Sequence, residues 1–292
     1  MNRTPLRYPG GKSLMTNFFI DLFQANKLSH VEYAEPYSGG AGAAINLLLE
    51  DIVESIYIND ANIGVFSFWN ALTSQPSDFI SAVEKIPVTL EEWYRQRQII
   101  MDAKKPSFSL GLATFFMSRT NRSGVIKAGP IGGSSQDTQQ KAKYKIDCRF
   151  NKPDLIVRLK RIAERASQIH VSNEDALQFL TKLDDNFFVY LDPPYYTKGR
   201  SLYMNHYSHE DHKNLSEFLN NAPFKWVLSY DNVYEIRNLY KNYELFKFCL
   251  SYTVHGTKKG EELLTHSNDL VMPASMTIRR NKSNDIAIEK AM

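Results

Sequence analysis

A 292-residue chain with 43% apolar and 23% charged residues has the composition of an ordinary globular protein, long enough for one large domain or one domain carrying a substantial insertion. No run of about 18 uncharged apolar residues is present, so no membrane-spanning helix is expected, and the opening Met1-Asn2-Arg3-Thr4-Pro5 segment lacks the apolar stretch of a secretory signal. The net charge of +3 hides an asymmetry: residues 93–165 hold sixteen Lys and Arg against five Asp and Glu, whereas the rest holds nineteen against twenty-seven. A basic middle in an acidic frame suits contact with a polyanion. A solvated basic helical face, for instance over residues 155–165, is the plainer alternative. Cys148 and Cys249 are isolated, in no CxxC pair, so neither a disulfide framework nor a zinc site is expected. A cytoplasmic location follows as the simplest expectation.

Residues 11–27 carry Leu14, Phe18, Phe19, Leu22 and Phe23 at helical spacing and are predicted to form an amphipathic helix. Residues 31–35 read as a short strand, Pro36-Tyr37-Ser38-Gly39-Gly40 as a turn, 42–50 as a helix and 55–59 as a second buried strand. Strand, glycine loop, helix, strand is the opening of a βαβ unit. Helices follow over 62–116 with breaks at Pro76, Pro87 and Pro106, and then a long aperiodic stretch, 118–151, of the kind that is functional or mobile. Residues 153–166 read as a helix and 168–171 as a strand. The nearly continuous apolar run 186–191 reads as a central parallel strand. A helix over 209–219 starts behind an Ser208 cap with Asp211 at its third position. Strands are expected at 225–228, 246–252 and 270–278, and the polar tail from 279 is expected to be loosely held.

Asp192-Pro193-Pro194-Tyr195 directly follows the 186–191 strand, at the strand end where open α/β sheets bind ligands. Consecutive prolines fix the turn and donate no N–H, so a carboxylate and a neighbouring carbonyl can converge on one donor group. An exocyclic NH₂ offers two such donors. Accepting both protons favours a pyramidal nitrogen with a lone pair free to attack a methyl group, and Tyr195 would offer a face for a base to stack on. Asp-Pro-Pro also ends strands in ordinary turns. The loop Gly40-Ala41-Gly42-Ala43-Ala44-Ile45 places Ile where a dinucleotide fingerprint needs its third glycine. Asp60, twenty positions after Gly40, is suited to ribose hydroxyls. Gly10-Gly11-Lys12-Ser13 ends like a phosphate loop, but Leu6 stands where its first glycine belongs, which excludes a nucleoside triphosphatase. His206, His209 and His212 are three apart, yet they straddle the helix start at Ser208; a helix-start or loop role is expected rather than a metal site.

Taken together, Arg7-Tyr8-Pro9-Gly10-Gly11-Lys12, Glu35-Pro36-Tyr37-Ser38-Gly39-Gly40-Ala41-Gly42, a strand ending in Asp60, Asp192-Pro193-Pro194-Tyr195, Val227-Leu228-Ser229-Tyr230 and Gly256-Thr257-Lys258-Lys259-Gly260-Glu261-Glu262-Leu263-Leu264 resemble the Dam-type DNA adenine-N6 methyltransferases over nearly the whole chain. The resemblance implies a doubly wound, mostly parallel α/β sheet (class I methyltransferase, Rossmann-like) at 1–62 and 150–280, a mainly helical DNA-recognition domain inserted at 63–149, and a polar tail at 281–292. It implies S-adenosyl-L-methionine as cofactor, held by Tyr8, Lys12, Tyr37, Ser38, Gly39, Gly40, Gly42, Asp60, Asp175 and Asp192. Asp192, Pro193, Pro194 and Tyr195 would be the catalytic group for a flipped adenine in double-stranded DNA.

Residues 119–133 would be the counterpart of the family's recognition hairpin, with Arg119, Asn121, Arg122, Lys127, Lys143, Lys258 and Lys259 as DNA contacts. Lys141, Lys145 and Arg149 read as phosphate contacts or as a solvated loop. Ser118-Arg119 and Ser123-Gly124 stand where the family has Asn-Arg and Asn-Gly, so the family's target sequence is not carried over. A leading Ser in the tetrapeptide would favour cytosine N4 and a leading Asn a protein or ribosomal RNA target; Asp192 favours adenine. The alternatives are an adenine-N6 methyltransferase acting on RNA and a DNA-binding regulator whose methylation site has decayed. A separately acting restriction endonuclease, and a monomer or weak dimer, complete the expectations for partners.

Overall fold

The computed structural model describes residues 3–197, 207–252, 258–274, 276–279 and 285–291. Among the described residues, eight strands form one sheet. β1 (Glu32–Glu35), β2 (Ile56–Asn59), β3 (Ile169–Ser172), β4 (Phe187–Leu191) and β5 (Lys225–Asp231) are parallel, in the order β3-β2-β1-β4-β5. β7 (Lys258–His266) runs antiparallel between β5 and β6 (Leu245–Tyr252), and β10 (Glu289–Lys290) adds an antiparallel edge to β6. The chain starts in the middle of the sheet, moves out to β3 and returns to β4. The carboxyl ends of β1 and β4 therefore lie side by side at the reversal, where a doubly wound sheet opens a crevice.

β4 is buried at all five positions, consistent with a strand covered on both faces. One face packs against α1 (Thr16–Ala25) through Phe19 and Phe23, whose rings meet Phe188 of β4 at 5.9 and 4.7 Å. α2 (Gly42–Leu49) follows the glycine loop and is buried from Gly42 to Leu48.

The crossover from β2 to β3 carries α3 (Ile63–Ser74), α4 (Pro76–Lys85), α5 (Leu90–Asp102), α6 (Phe108–Thr120), α7 (Gln136–Lys141) and α8 (Lys152–Ala163). Each start is written locally. Asn62 accepts from the amides of Gly64 and Val65, Pro76 opens α4, and Thr89, Ser107, Ser135 and Asn151 cap the next four. This crossover is mainly helical. Its rings, stacked as Phe68 on Phe115 at 5.7 Å, belong to the same continuous core as the sheet face over α1 and α2.

Several expectations are corrected. The stretch 118–151 is not aperiodic throughout: α6 runs to Thr120, and Ser135 with Thr138 forms a capping box that starts α7. The last large strand is Lys258–His266 rather than 270–278, where among the described residues only the end enters a strand, Thr277–Arg279 (β8), paired with β9 (Asp285–Ala287). The tail is tied down where it is described, with Ile288 buried and Glu289 and Lys290 laddered to β6.

The start of α10 (His209–Leu219) is as predicted. Ser208 Oγ accepts from the Asp211 amide at 3.3 Å, and the Asp211 carboxylate accepts from the Ser208 amide at 2.7 Å. Ser208→Ala should lower stability by about 1 kcal/mol in urea unfolding. An unchanged midpoint would mean the box contributes nothing.

Candidate active site

The crevice at the sheet reversal is a cavity of about 340 Å³, in the lower part of the range of roughly 300–1,000 Å³ typical of small-molecule sites. All ten residues expected to hold a cofactor line it: Tyr8, Lys12, Tyr37, Ser38, Gly39, Gly40, Gly42, Asp60, Asp175 and Asp192.

Its floor is the loop between β1 and α2. Gly39 has a φ of 46°, and a Cβ there would stand 2.7 Å from the Tyr8 ring, so glycine lets the N-terminal strap lie directly on the loop. Asp60, just after β2, accepts from the amides of Gly39 at 2.8 Å and Asn62 at 2.9 Å. Burial raises its carboxyl to about 6 despite those two amides. Asp175 caps α9 (Ala176–Leu180) through one oxygen, accepting from the Leu177 and Gln178 amides, and borders the same cavity. Ser38 Oγ is buried without a hydrogen-bond partner among the described residues.

Asp192 leaves β4 into this cavity with its side chain 18% exposed. Lys12 Nζ donates to both of its oxygens at 2.8 Å, and Ser229 Oγ of β5 donates to Oδ1 at 2.9 Å. Ser229 in turn shares a hydrogen bond with Tyr190 at 2.8 Å. Oδ1 is thus filled from two sides, while among the described residues Oδ2 has Lys12 alone and keeps a lone pair for a further donor. Asp231, at the end of β5, accepts from the Tyr196 and Thr197 amides at 2.9 and 3.0 Å and so fixes the chain after the tetrapeptide.

Tyr195 differs from its expected place. It is 7% exposed, and its hydroxyl points inward, accepting from Lys12 Nζ at 3.0 Å and donating to Glu262 of β7. Pro194 lines the cavity and Pro193 is buried beneath it.

Sequence reasoning gave no role to Glu35, Ser229 or Glu262. Glu35 lines the cavity and accepts from Tyr33 Oη at 2.9 Å and the Ala44 amide at 3.0 Å; burial raises it to about 8. Glu262 is 1% exposed and burial raises it to about 7. Tyr207 shares a hydrogen bond with Tyr37 at 2.8 Å over the cavity. A charged residue inside a stretch resembling other motifs, as Glu262 is, was the available signal.

These pKa shifts set a pH dependence. Carboxyls raised above their ordinary 4.5 keep protons in the fold that the unfolded chain has lost. Stability therefore falls as pH rises from about 4.5 to about 8, as linkage requires. Buried His212, lowered to about 4 from 6.5, acts in the opposite sense but only below 6.5. Between 6.5 and 8 stability should decline, and Glu35→Gln should flatten that decline in urea melts. A flat wild-type profile there would contradict the assignment.

The DNA-contact candidates divide. Arg122, Lys127 and Lys143 are exposed, as are Lys141, Lys145 and Arg149. Residues 121–130 close as a hairpin-like loop through an Asn121–Pro130 bridge, with the Arg122 amide donating to Gly129 O at 3.1 Å. Asn121 is turned inward, whereas Arg119 is half-buried and held against the N-terminal strap. Arg119 Nε donates to Pro5 O at 2.6 Å, and burial lowers it to about 10. Asn121 is wholly buried, accepting from Trp93 Nε1 at 2.7 Å and donating to Val125 O and Ile126 O. The Asn121 side chain is spent on the indole and the loop carbonyls. Lys258 and Lys259 open β7, and their side chains lie outside the described residues. His206 also lies outside them. His212 is buried with Nδ1 2.7 Å from Tyr230 Oη, and no group of three metal-ligating side chains occurs among the described residues. No helix of the described residues is long and apolar enough to cross a membrane.

Comparison with known proteins adds three findings. The family model of D12 class N6 adenine-specific DNA methyltransferases matches residues 8–253. The chain is 23% identical over 248 residues to the modification methylase StsI of Streptococcus sanguinis, covering 78% of this chain and 35% of that protein. It thus spans about a third of the length of that relative. A solved rRNA methyltransferase, aviRa from Streptomyces viridochromogenes, is 12% identical and superposes with a TM-score of 0.37, over 88% of this chain and 84% of that one.

Proposed function

Because the chain belongs to the D12 class N6 adenine-specific DNA methyltransferase family, we propose that it transfers a methyl group to N6 of an adenine flipped out of double-stranded DNA. The observation that carries this reading is Asp192, presented by a buried strand end to the cavity that Asp60 and the glycine loop also line. Residues 1–62 and 150–280 are proposed as the methyl-transfer part and 63–149 as the target-reading insert.

S-adenosylmethionine fits the cavity's donor set. Asp60 suits a pair of ribose hydroxyls, the unpartnered Ser38 hydroxyl wants a polar group, and the acidic rim at Asp175 suits an amine. When bound, it supplies a sulfonium-linked methyl group whose carbon takes the amine lone pair as the C–S pair returns to sulfur. The protein's own task is to make adenine N6 a nucleophile. Asp192 Oδ2 and the Pro193 carbonyl accept the two N6 protons, which localises the lone pair on nitrogen. Lys12 and Ser229 hold the carboxylate still while it does so. N6 is engaged in base pairing within the duplex, so the adenine must leave the stack first.

Arg122 and Lys127 on the 121–130 loop are proposed to read bases, and Lys143 to contact phosphate. Arg122→Ala should change sequence preference, whereas Lys143→Ala should reduce the salt slope of binding by about 0.9 on every sequence. Equal loss on all sequences from Arg122→Ala would remove Arg122 as a reader. A restriction endonuclease acting on the same site is the proposed separate partner, supported by the likeness to a protein named as a modification methylase.

The reading is tested by incubating the purified protein with methyl-labelled S-adenosylmethionine and genomic DNA, then digesting the DNA to nucleosides. Label in N6-methyldeoxyadenosine is expected. Label in N4-methyldeoxycytidine, or none in DNA from folded protein, would reject it.

A further inference from the structure

One buried group beside Asp192 has no part in binding or aligning the substrate. Glu262 sits within β7, 1% exposed, in a central strand where a carboxyl has no packing purpose. A hydrogen-bonded line of side chains connects it to Asp192. Lys12 Nζ stands 2.8 Å from each Asp192 oxygen and 3.0 Å from Tyr195 Oη, and Tyr195 Oη donates to Glu262 Oε1. Glu262 Oε2 has no hydrogen-bond partner among the described residues, with Lys12 Nζ at 3.7 Å.

We propose that Lys12, Tyr195 and Glu262 form a proton relay that removes the proton released from the adenine amine, with Glu262 as its end point. This rests on the adenine-N6 reading above. Once methylated, N6 is cationic; one N–H bond breaks, its electron pair stays on nitrogen, and the proton passes to Asp192. Lys12 takes that proton from Asp192 as it gives another to Tyr195, whose own hydroxyl proton moves to Glu262. Asp192 ends as carboxylate, Lys12 as ammonium and Tyr195 as phenol. The net change is one proton gained by Glu262.

The charge balance favours this route. Before transfer the buried group of Asp192, Lys12 and ionised Glu262 carries one net negative charge, opposite to the sulfonium. Afterwards the sulfonium charge is gone and a protonated Glu262 leaves the group neutral. The charge on these three side chains thus changes in step with the loss of the sulfonium charge. The ionisable and charged groups facing Glu262 are Lys12 from the strap, Asp192 and Tyr195 from the turn after β4, Tyr190 of β4, and Asp231 of β5. Burial against that set leaves its proton affinity near neutrality, where an acceptor that must reload every cycle is effective.

Glu262 and Lys12 do not touch the reacting atoms in this scheme, so the test must separate relay from scaffold. Single-turnover methyl transfer to adenine by the full protein should rise with pH through a group titrating near neutrality. Glu262→Gln should remove that rise and slow the step by about 100-fold, with little change in KM for DNA. Tyr195→Phe, which cuts the line while leaving the carboxyl, should slow it to a similar degree, and the double variant should be no slower than either.

An independent readout is the carbon-13 titration of the Glu262 carboxyl by NMR in the protein alone. It should titrate near neutrality and shift in Tyr195→Phe. An unchanged pH profile in Glu262→Gln, additive losses in the double variant, or a carboxyl titrating as an ordinary exposed Glu would each overturn the relay. If Glu262→Gln does not fold, the Tyr195→Phe profile decides alone. Should wild type label no adenine at all, the underlying reading fails, and the relay with it. Label in adenine together with an unchanged Glu262→Gln profile rejects the relay alone.

Discussion

Asp192→Ala should lower kcat by roughly 1,000-fold, the combined scale of losing a proton acceptor and an electrostatic contact at the reacting nitrogen. The cofactor Kd should move far less, because Asp60 and the glycine loop remain. The reason lies in the geometry of Asp192, which lines the cavity at the end of a fully buried strand and whose Oδ2 has one donor among the described residues where Oδ1 has two. A loss confined to the chemical step, with retained cofactor and DNA binding, is the expected pattern of an interaction made mainly in the transition state. Calorimetry and single-turnover rates on the same preparation check it. A raised KM with unchanged kcat would assign Asp192 to binding alone.

Lys12→Met should destabilise the fold by about 3–5 kcal/mol, the cost of leaving a buried carboxylate without its counter-charge. Lys12 has its side chain 5% exposed and bridges Asp192 and Glu262, whose side chains are 18% and 1% exposed. The penalty should depend on pH. Lys12 lowers the proton affinity of Glu262, so in the variant Glu262 takes up its proton above about 7 and part of the loss is recovered as pH falls toward neutrality in urea titrations. Combining Lys12→Met with Glu262→Gln should recover stability at neutral pH, giving a coupling energy between the two positions. A Lys12→Met variant as stable as wild type would mean that the two carboxyls are solvated enough to need no partner.

The parts legible in the sequence are those where local chemistry and tertiary structure ask for the same residue. A run of Phe187, Phe188, Val189, Tyr190 and Leu191 can hardly be anything but a central strand, and Ser208 with Asp211 writes its own helix start. The ten cavity residues converge because the glycine loop, Asp60 and Asp192 all lie at carboxyl ends of neighbouring parallel strands.

What was missed has a common cause: polar residues whose partners are distant in sequence. Strand Lys258–His266 opens Lys258-Lys259-Gly260-Glu261-Glu262, with no apolar alternation to mark a strand. Yet Glu262 belongs in the core, because Lys12, some 250 positions earlier, meets it there. Residues 270–278 look more like a strand but contain Pro273 and an exposed Val271, and only their end is extended. Arg119 and Asn121 are of the types that read DNA, but the Pro5 carbonyl and the Trp93 indole claim them first. Tyr195, expected to face the base, is drawn inward by the hydrogen bonds that Lys12 and Glu262 offer its hydroxyl.

Single-molecule sequencing of DNA from cells expressing the chain, beside cells expressing Asp192→Ala, tests the central claim most directly, since it reports the modified base and its sequence context together. N6-methyladenine at one recurring sequence with the wild type, and its absence with Asp192→Ala, is the predicted result. Folded wild-type protein in cells whose DNA carries no N6-methyladenine beyond that of the Asp192→Ala control would contradict it.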